Sequence, residues 1–245
     1  MRPLEAVTLD VTGTLIHCPR MGEIYVEVLA RHGIVVEADQ VRREFRNAWR
    51  ELDCSTPAGV DRFTHHPDGQ RGWWRRLLER LCELVDVERP SQFAAAELFN
   101  RFRHPDAWEI YPEVPDALAE LRGEGLRLAV VSNWDDRLPE LLAELGLARH
   151  LNEIVHSSAL GIAKPDPEIF LYALRRLGVE ADAAMHVGDN AREDLEGAVA
   201  VGMQALLLDR RGDEGDVADL GALVQEVASR RALVAPDTVI LRTRR

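Results

Sequence analysis

The sequence predicts a doubly wound, mainly parallel α/β sheet with a helical cap domain inserted after the first strand. Three observations carry this. Short apolar runs alternate with helical stretches through most of the chain, the pattern of repeated strand–helix units. The runs end on polar or acidic residues, at Asp10, Ser132, Ser157, Asp189 and Asp209. Between residues 18 and about 107 strand signals vanish and helical periodicity takes over.

Val7-Thr8-Leu9 and its neighbours form the first run, apolar as a strand covered on both faces is. Helical patterning at 22–32, 38–52, 70–86 and 90–103 fills the insertion, with the loop Ser55-Thr56-Pro57-Ala58-Gly59 inside it. Pro19, Gly22 and Pro105 mark its connections. The division is thus a core of 1–17 and 108–245 and a helical cap of 18–107. Helices are expected at 113–123, 137–146, 167–177 and 192–201, and strands at 126–131, 153–156, 183–187 and 204–208. A helix around 217–231 and a strand at 238–242 close the chain.

At 245 residues the chain can hold one sizeable core and a smaller accessory one. Its 46% hydrophobic and 29% charged residues are those of an ordinary globular fold. A formal net charge of -12 argues against general affinity for nucleic acid or an anionic membrane, which need a basic face. No apolar run approaches a membrane span. Acids near the N-terminus, at Glu5 and Asp10, stand where a signal peptide would be apolar. Cys18, Cys54 and Cys82 form no Cys-x-x-Cys pair and read as reduced, buried thiols. Both features fit a cytoplasmic protein.

One lysine, Lys164, stands among 30 basic side chains, within Gly161-Ile162-Ala163-Lys164-Pro165-Asp166-Pro167. Arginine is a planar fork and lysine a slender point charge, so this position points to a tight anionic site. In sheets of this kind the site lies at the carboxyl ends of the strands. Asp10, Ser132 and Asp189 fall there, and Lys164 follows the third strand by a short loop. Asp10 opens the segment Asp10-Val11-Thr12-Gly13-Thr14-Leu15. A carboxylate so placed can act as a nucleophile toward phosphorus or carbon. Gly13 lets the chain turn sharply, so that backbone amides face an anion. The Ser132 hydroxyl and the Asn133 amide can donate to phosphate oxygens. Lys164 can neutralise the nucleophile and the charge developing on a transferring phosphoryl group. Gly188-Asp189-Asn190-Ala191-Arg192-Glu193-Asp194 adds carboxylates that, with Asp10, supply the hard oxygen donors magnesium prefers. Each motif alone is common in loops; in this order at strand ends they are specific.

The four motifs, at 8–15, 130–133, 164–167 and 188–194, resemble the haloacid dehalogenase-like (HAD) superfamily, in the branch with a helical cap after the first motif. The resemblance covers nearly the whole chain. It implies a Rossmann-like core, magnesium as cofactor, and hydrolysis through an aspartyl-phosphate on Asp10. It also implies Ser132 and Lys164 as phosphate ligands and Asp189 as a magnesium ligand. The backbone carbonyl of Thr12 would be a further metal contact, and Asp194 a ligand or its support. The Gly22-Glu23 turn and the His104-Pro105-x-x-Trp108 segment resemble one subgroup of that branch.

At position 12 the sequence departs from the family. Most of its phosphatases read Asp-x-Asp-x-Thr, the second aspartate being general acid and base. Thr12 can be neither, and such catalysis is typically worth about 10²–10⁴-fold. The leading expectation is a slow magnesium-dependent phosphohydrolase or phosphotransferase acting on a small phosphorylated metabolite. A good leaving group such as an acyl phosphate, or a long-lived phosphoenzyme, is compatible with Thr12. So is a catalytically weak HAD-fold binding or scaffold protein. Haloacid dehalogenation, with Asp10 attacking carbon, is a further alternative. It has no use for Asp189 and Asp194 around a cation, and family dehalogenases usually place an aromatic hydroxyl at position 12.

In the cap, His65, Arg71 and Trp73 belong to a stretch mixing cations with aromatics. It could read an anionic substrate; the favoured arrangement packs the tryptophans between helices and sends the arginines to solvent. His17 and Arg20 lie where cap-side contacts are expected. His186 reads as a hydrogen-bonded core histidine, since magnesium favours oxygen. Asp135 and Asp136 read as acids opening a helix, and Arg242 to Arg245 as a solvated end.

Overall fold

The computed structural model describes residues 2–212 and 214–234. β1 (Ala6–Leu9) is followed by a two-residue strand β2 (Ile16–His17), from which the chain departs into five helices: α1 (Met21–Arg31), α2 (Ala38–Cys54), α3 (Arg62–His65), α4 (Gly69–Leu84) and α5 (Gln92–Arg101). It returns at β3 (Glu109–Ile110), which pairs antiparallel with β2. Then follow α6 (Val114–Gly123), β4 (Arg127–Ser132), α7 (Leu138–Glu144), β5 (Glu153–His156), α8 (Ser157–Leu160), α9 (Pro167–Leu177), β6 (Ala184–Gly188), α10 (Gly197–Ala200), β7 (Gln204–Leu207) and α11 (Leu220–Val234).

The main sheet has the order β5-β4-β1-β6-β7, and all its pairings are parallel. The chain fills one side of β1 and then the other, so the strand order reverses beside β1 and opens a crevice at the carboxyl ends. Side chains alternate across the sheet with the period of two that strands impose. Val7, Leu9, Leu128, Val130, Met185 and Val187 pack on one face under α6, α7 and α11. The other face carries the smaller Ala6, Ala129, Val131 and Ala184, which let α9 and α10 approach closely. The signals that start and stop α9 are local. Asp166 accepts a hydrogen bond from Glu168 N at 2.9 Å, Pro167 takes the first helical position, and Gly178 ends the helix at φ 67°. This helix start fixes the short loop that carries Lys164.

The inserted helices surround an apolar cluster of their own, with Ile24, Leu29, Phe63, Trp73, Leu77 and Leu81 inside it. Trp73 is buried, edge-on to Trp49 and Phe63, while Arg71 is exposed and lies over the Phe99 ring. Two buried polar contacts fasten this layer to the sheet. Asp61 accepts from the Ser157 hydroxyl at 2.6 Å, and Val60 bridges Ile162. Trp74 Nε1 donates to Asp135 at 2.6 Å, and Asp135 is also paired with Arg137, whose Nη1 reaches the Phe99 carbonyl at 2.7 Å.

Some expectations change. Asp135 is fully buried as the counter-ion of Arg137, and its Oδ1 also accepts from Arg137 N at 3.1 Å just ahead of α7, whose own first flanking residue makes no side-chain cap. The helix expected at 192–201 is a π-helical turn over Ala191–Glu196 followed by α10. Such widened turns occur where side chains must be turned toward a site. Cys54 is exposed, while burial pushes the Cys18 and Cys82 thiols up to about 11. No described helix is long and apolar enough to cross a membrane. The strand expected at 238–242 and the arginine-rich end lie outside the described residues.

Asp135→Ala should cost about 3–5 kcal/mol in denaturant unfolding, because it leaves the Arg137 charge buried without its partner. Changing both, to Asp135→Leu with Arg137→Met, should recover most of that. A single-variant loss under about 1 kcal/mol, the scale of an exposed pair, would refute this assignment.

Candidate active site

β1 ends just before Asp10, β4 at Ser132 and β6 just before Asp189, and the three come together in the crevice beside β1. The Lys164 side chain enters from the loop before α9, with its ammonium 2.6 Å from Asp10 Oδ1 and 2.5 Å from Asp194 Oδ1. Its side chain is 1% exposed. Asp189 is the most exposed of the three acids, and oxygens from Asp10, Asp189 and Asp194 lie within 4.8 Å of one another. The centre therefore gathers three carboxylates around one cation.

Burial pushes the Asp10 carboxyl up, with Lys164 pulling against it and Asp194 adding to the rise. For Lys164 burial opposes the charge, but Asp10 and Asp194 outweigh it and hold the ammonium above the ordinary lysine range. Asp194 also resists burial: Lys164 and His186 keep it ionised, well below the usual carboxylate range. Partial burial, with the charges of Asp10 and Asp194 adding to it, pushes Asp189 up to about 7. A hard divalent cation among these oxygens would relieve the repulsion, and the donor set suits one.

Backbone geometry admits these close approaches. A Cβ on Gly13, whose φ is 81°, would sit 2.1 Å from Asp189 Oδ2, and one on Gly188 would sit 2.2 Å from Asp194 Oδ2. Glycine is thus required at both positions. The π-helical turn brings Asp194 back under the strand end, where Asn190 N donates to its Oδ2 at 2.9 Å. His186 lies within the sheet, Nε2 at 3.2 Å from Asp194 and Nδ1 at 2.8 Å from the Thr8 hydroxyl. Burial lowers its pKa, so the ring is neutral, with Nε2–H donating to Asp194 and Nδ1 accepting from Thr8. This is the core histidine the sequence suggests.

Asn133 is fully engaged. Its Oδ1 accepts from Lys164 N at 2.7 Å, and its Nδ2 donates to Lys164 O and to Glu193 Oε2, each at 2.9 Å. Both side-chain amide hydrogens being used, the Asn133 side chain holds the lysine loop. Ser132 is buried, and its hydroxyl acts with Lys164 against the burial that raises the Asp10 carboxyl. Thr12 is exposed at the mouth. His17 stacks on Tyr111 at 4.4 Å, while Arg20 is exposed and pairs with Glu27.

Residues 4–202 match the family model of haloacid dehalogenase-like hydrolases. The chain belongs to that family. Among its relatives, haloacid dehalogenase-like hydrolase domain-containing protein 3 of Homo sapiens is 37% identical over 208 residues, 84% of this chain and 82% of that protein. This agrees with the subgroup indicated by the Gly22-Glu23 and His104–Trp108 segments. The glyceraldehyde 3-phosphate phosphatase of Methanopyrus kandleri is 40% identical over 221 residues, 87% of each. A HAD phosphatase from Thermococcus onnurineus superposes with a TM-score of 0.63 at 25% identity, over 91% of this chain and 98% of that one.

Two further residues of this HAD-like hydrolase serve the site, Glu193 from within the fourth motif and Arg210 from outside all four. Glu193 holds Asn133, as above. Arg210 donates through Nε to the Gly13 carbonyl at 2.9 Å and through Nη2 to the Thr14 carbonyl at 2.6 Å. Its guanidinium also lies 3.3 Å over the Tyr111 ring and pairs with Glu113. It clamps the turn after Asp10. Its place just beyond the fifth strand end was the available signal.

Lys164→Met should destabilise the metal-free protein by about 3 kcal/mol or more, since it leaves buried carboxylates without their cation. Excess magnesium should then raise the melting temperature of the variant more than that of wild type. Equal shifts would show that the ammonium and an added ion do not address the same charge.

Proposed function

We propose that this chain is a magnesium-dependent phosphohydrolase or phosphotransferase acting on a small phosphorylated metabolite through an aspartyl-phosphate on Asp10. The single observation that carries the reading is the buried ammonium shared between Asp10 and Asp194, with Asp189 as a third carboxylate beside them. Relatives named as phosphatases support it. Asp10, Asp189 and the Thr12 carbonyl would hold the ion, which supplies Lewis-acid polarisation of the phosphoryl oxygens. Asp194 supports them: its oxygens already accept from Lys164, His186 and Asn190 N.

Lys164 grips Asp10 Oδ1, which leaves Oδ2 to attack phosphorus as the bond to the leaving oxygen breaks. Lys164 and Ser132 steady the transferring group, while Asn133 and Glu193 keep the lysine loop in place. Water then attacks phosphorus, freeing Asp10 and inorganic phosphate and losing its proton to solvent. Residues 18–107 serve as a cap over this centre and 1–17 with 108–245 as the core, so that the cap limits water access. Three free thiols suit a cytoplasmic setting.

Carbon chemistry fits less well, because a dehalogenase has no use for a cage of hard oxygens. A second reading, a weakly catalytic binding protein, is favoured only by Thr12, which offers neither acid nor base.

Wild type should release phosphate from acetyl phosphate in a magnesium-dependent manner and Asp10→Asn should not. Release by both, or by neither, sinks the nucleophile assignment or the enzymatic reading respectively. Separately, Thr12→Asp should raise turnover of an alkyl phosphate such as glycerol 3-phosphate by about 10²–10⁴-fold if the fold accepts it. It should change acetyl phosphate hydrolysis far less, because acetate leaves without a proton. Brisk alkyl phosphate turnover by wild type with no gain on substitution would contradict the role given to position 12.

A further inference from the structure

The turn after Asp10 spends most of its backbone donors on itself. Thr14 N, Leu15 N and Ile16 N donate to the Val11 carbonyl at 3.3, 2.8 and 3.1 Å, and Gly13 N donates to the Ile16 carbonyl at 2.9 Å. Val11 N and Thr12 N, by contrast, meet no acceptor among the described residues, and the Thr12 carbonyl meets no donor. The carbonyls that follow are met from outside the turn. Arg210 takes those of Gly13 and Thr14, and Tyr111 N donates to that of Leu15 at 3.2 Å. Arg210 Nη1 lies 2.8 Å from Glu113 Oε1, so each nitrogen of the fork has a partner of its own. The side chain is 18% exposed, which shields these bonds from competing water. One side chain from beyond β7 thus sets the tilt of two peptide planes just past the free groups.

We propose that Arg210 is a positioning residue for the transferring phosphoryl group. By holding the Gly13 and Thr14 carbonyls it fixes the orientation in which Val11 N and Thr12 N receive phosphoryl oxygens and the Thr12 carbonyl receives the ion. This rests on the phosphohydrolase reading above. Free amides in a turn form an anion-binding concavity only while their peptide planes stay fixed. A misplacement of about 1 Å, caused by a change away from the chemistry, can cost about 10²-fold in rate. The competing description is a strut, in which Arg210 only ties the chain beyond β7 to Glu113 and the Tyr111 ring. A strut needs the charge. The positioning role needs the fork, because lysine brings one nitrogen to three acceptors.

Arg210→Lys in the full-length protein separates the two. The probe is beryllium fluoride with magnesium, titrated calorimetrically, which needs no turnover. The variant should bind it about tenfold more weakly than wild type, or worse, since two carbonyls lose their donors. In the kinetic arm, kcat/KM for acetyl phosphate and for p-nitrophenyl phosphate should fall by one common factor of about 10–10²-fold. The factor is shared because the amides act on the phosphoryl group and not on what leaves it. Arg210→Ala should show the same losses, and millimolar guanidinium should restore most of both binding and rate. Glu113→Gln, which removes the charge pair and leaves the carbonyl bonds, should stay within about twofold of wild type in both arms. Folded Arg210→Lys protein that binds the probe as wild type does, or equal losses in Glu113→Gln, overturns the proposal and leaves the strut. Absent turnover in a wild type that binds the probe fails the enzymatic reading alone, and the binding arm still decides. A wild type that binds no probe overturns the positioning role as well.

Discussion

The ammonium of Lys164 is the group on which the site depends. It is the bridge between a carboxylate at the end of the central strand and another in the turn after β6. Without it, Asp10 and Asp194 would face each other in a poorly solvated crevice, where like charges repel far more than in water. The rest of the neighbourhood holds that ammonium in place. Asn133 takes both backbone polar groups of the lysine, and the Asp166–Pro167 helix start fixes the chain immediately after it. A guanidinium fork could not sit in one point between two carboxylate oxygens while its other donors found partners.

The same loop ties the site to the inserted helices. Asp61 N donates to the Gly161 carbonyl and Ala163 N to the Gly59 carbonyl, so the backbone just before Lys164 is paired with the backbone just before α3. Asp61 then anchors through Ser157, and Arg62, its neighbour, reaches Glu193. A displacement of α3 would therefore be felt at the lysine loop and at Glu193 together. Asp135 and Arg137 fasten the far side of the layer, through Trp74 and the Phe99 carbonyl. The helical layer is set against the sheet by buried polar contacts on two sides, which makes its geometry specific as well as cohesive.

The sheet and the central carboxylates were legible in the sequence because parallel strands must end on one side, and the residues at those ends must meet. Asp10, Ser132 and Asp189 follow from that rule, and Lys164 stood out as the one lysine among the basic residues, a short loop beyond the third run. Local rules failed where a tertiary partner took over. Asp135 sits where a capping acid would, but Arg137 two residues later folds back and claims it. Asn133 has the chemistry of a phosphate donor, and only the coordinates reveal that both its hydrogens are spent on Lys164 and Glu193. Residues 192–201 have helical periodicity, yet Asn190 and Asp194 widen the first turn through hydrogen bonds between side chain and backbone. Arg62 and Arg210 were hidden for a different reason. In a chain whose cations are almost all arginine, residue type carries no signal; Arg62 is set apart by its burial, and Arg210 by the two carbonyls of the Asp10 turn that it holds.

Position 12 places a limit on the proposed chemistry that acts in both directions. In that proposal Asp10, Lys164 and the oxygens that would hold a metal act on the phosphoryl group, and none of them would handle the proton of an alcohol. An alkoxide expelled in the first step must then take its proton from water, and attacking water in the second step must give its proton to water. Both steps slow for the same reason. An oxyanion that is stable at neutral pH, such as an acyl carboxylate, escapes the limit as leaving group because it needs no proton. As an acceptor it escapes again because it has none to lose. Arg210 holds the turn carrying Thr12 by two carbonyl bonds, so the position is as ordered as an acid there would need to be. The deficiency is one of functional group and not of geometry, and on this reading it selects substrates by the acidity of the group bonded to phosphorus.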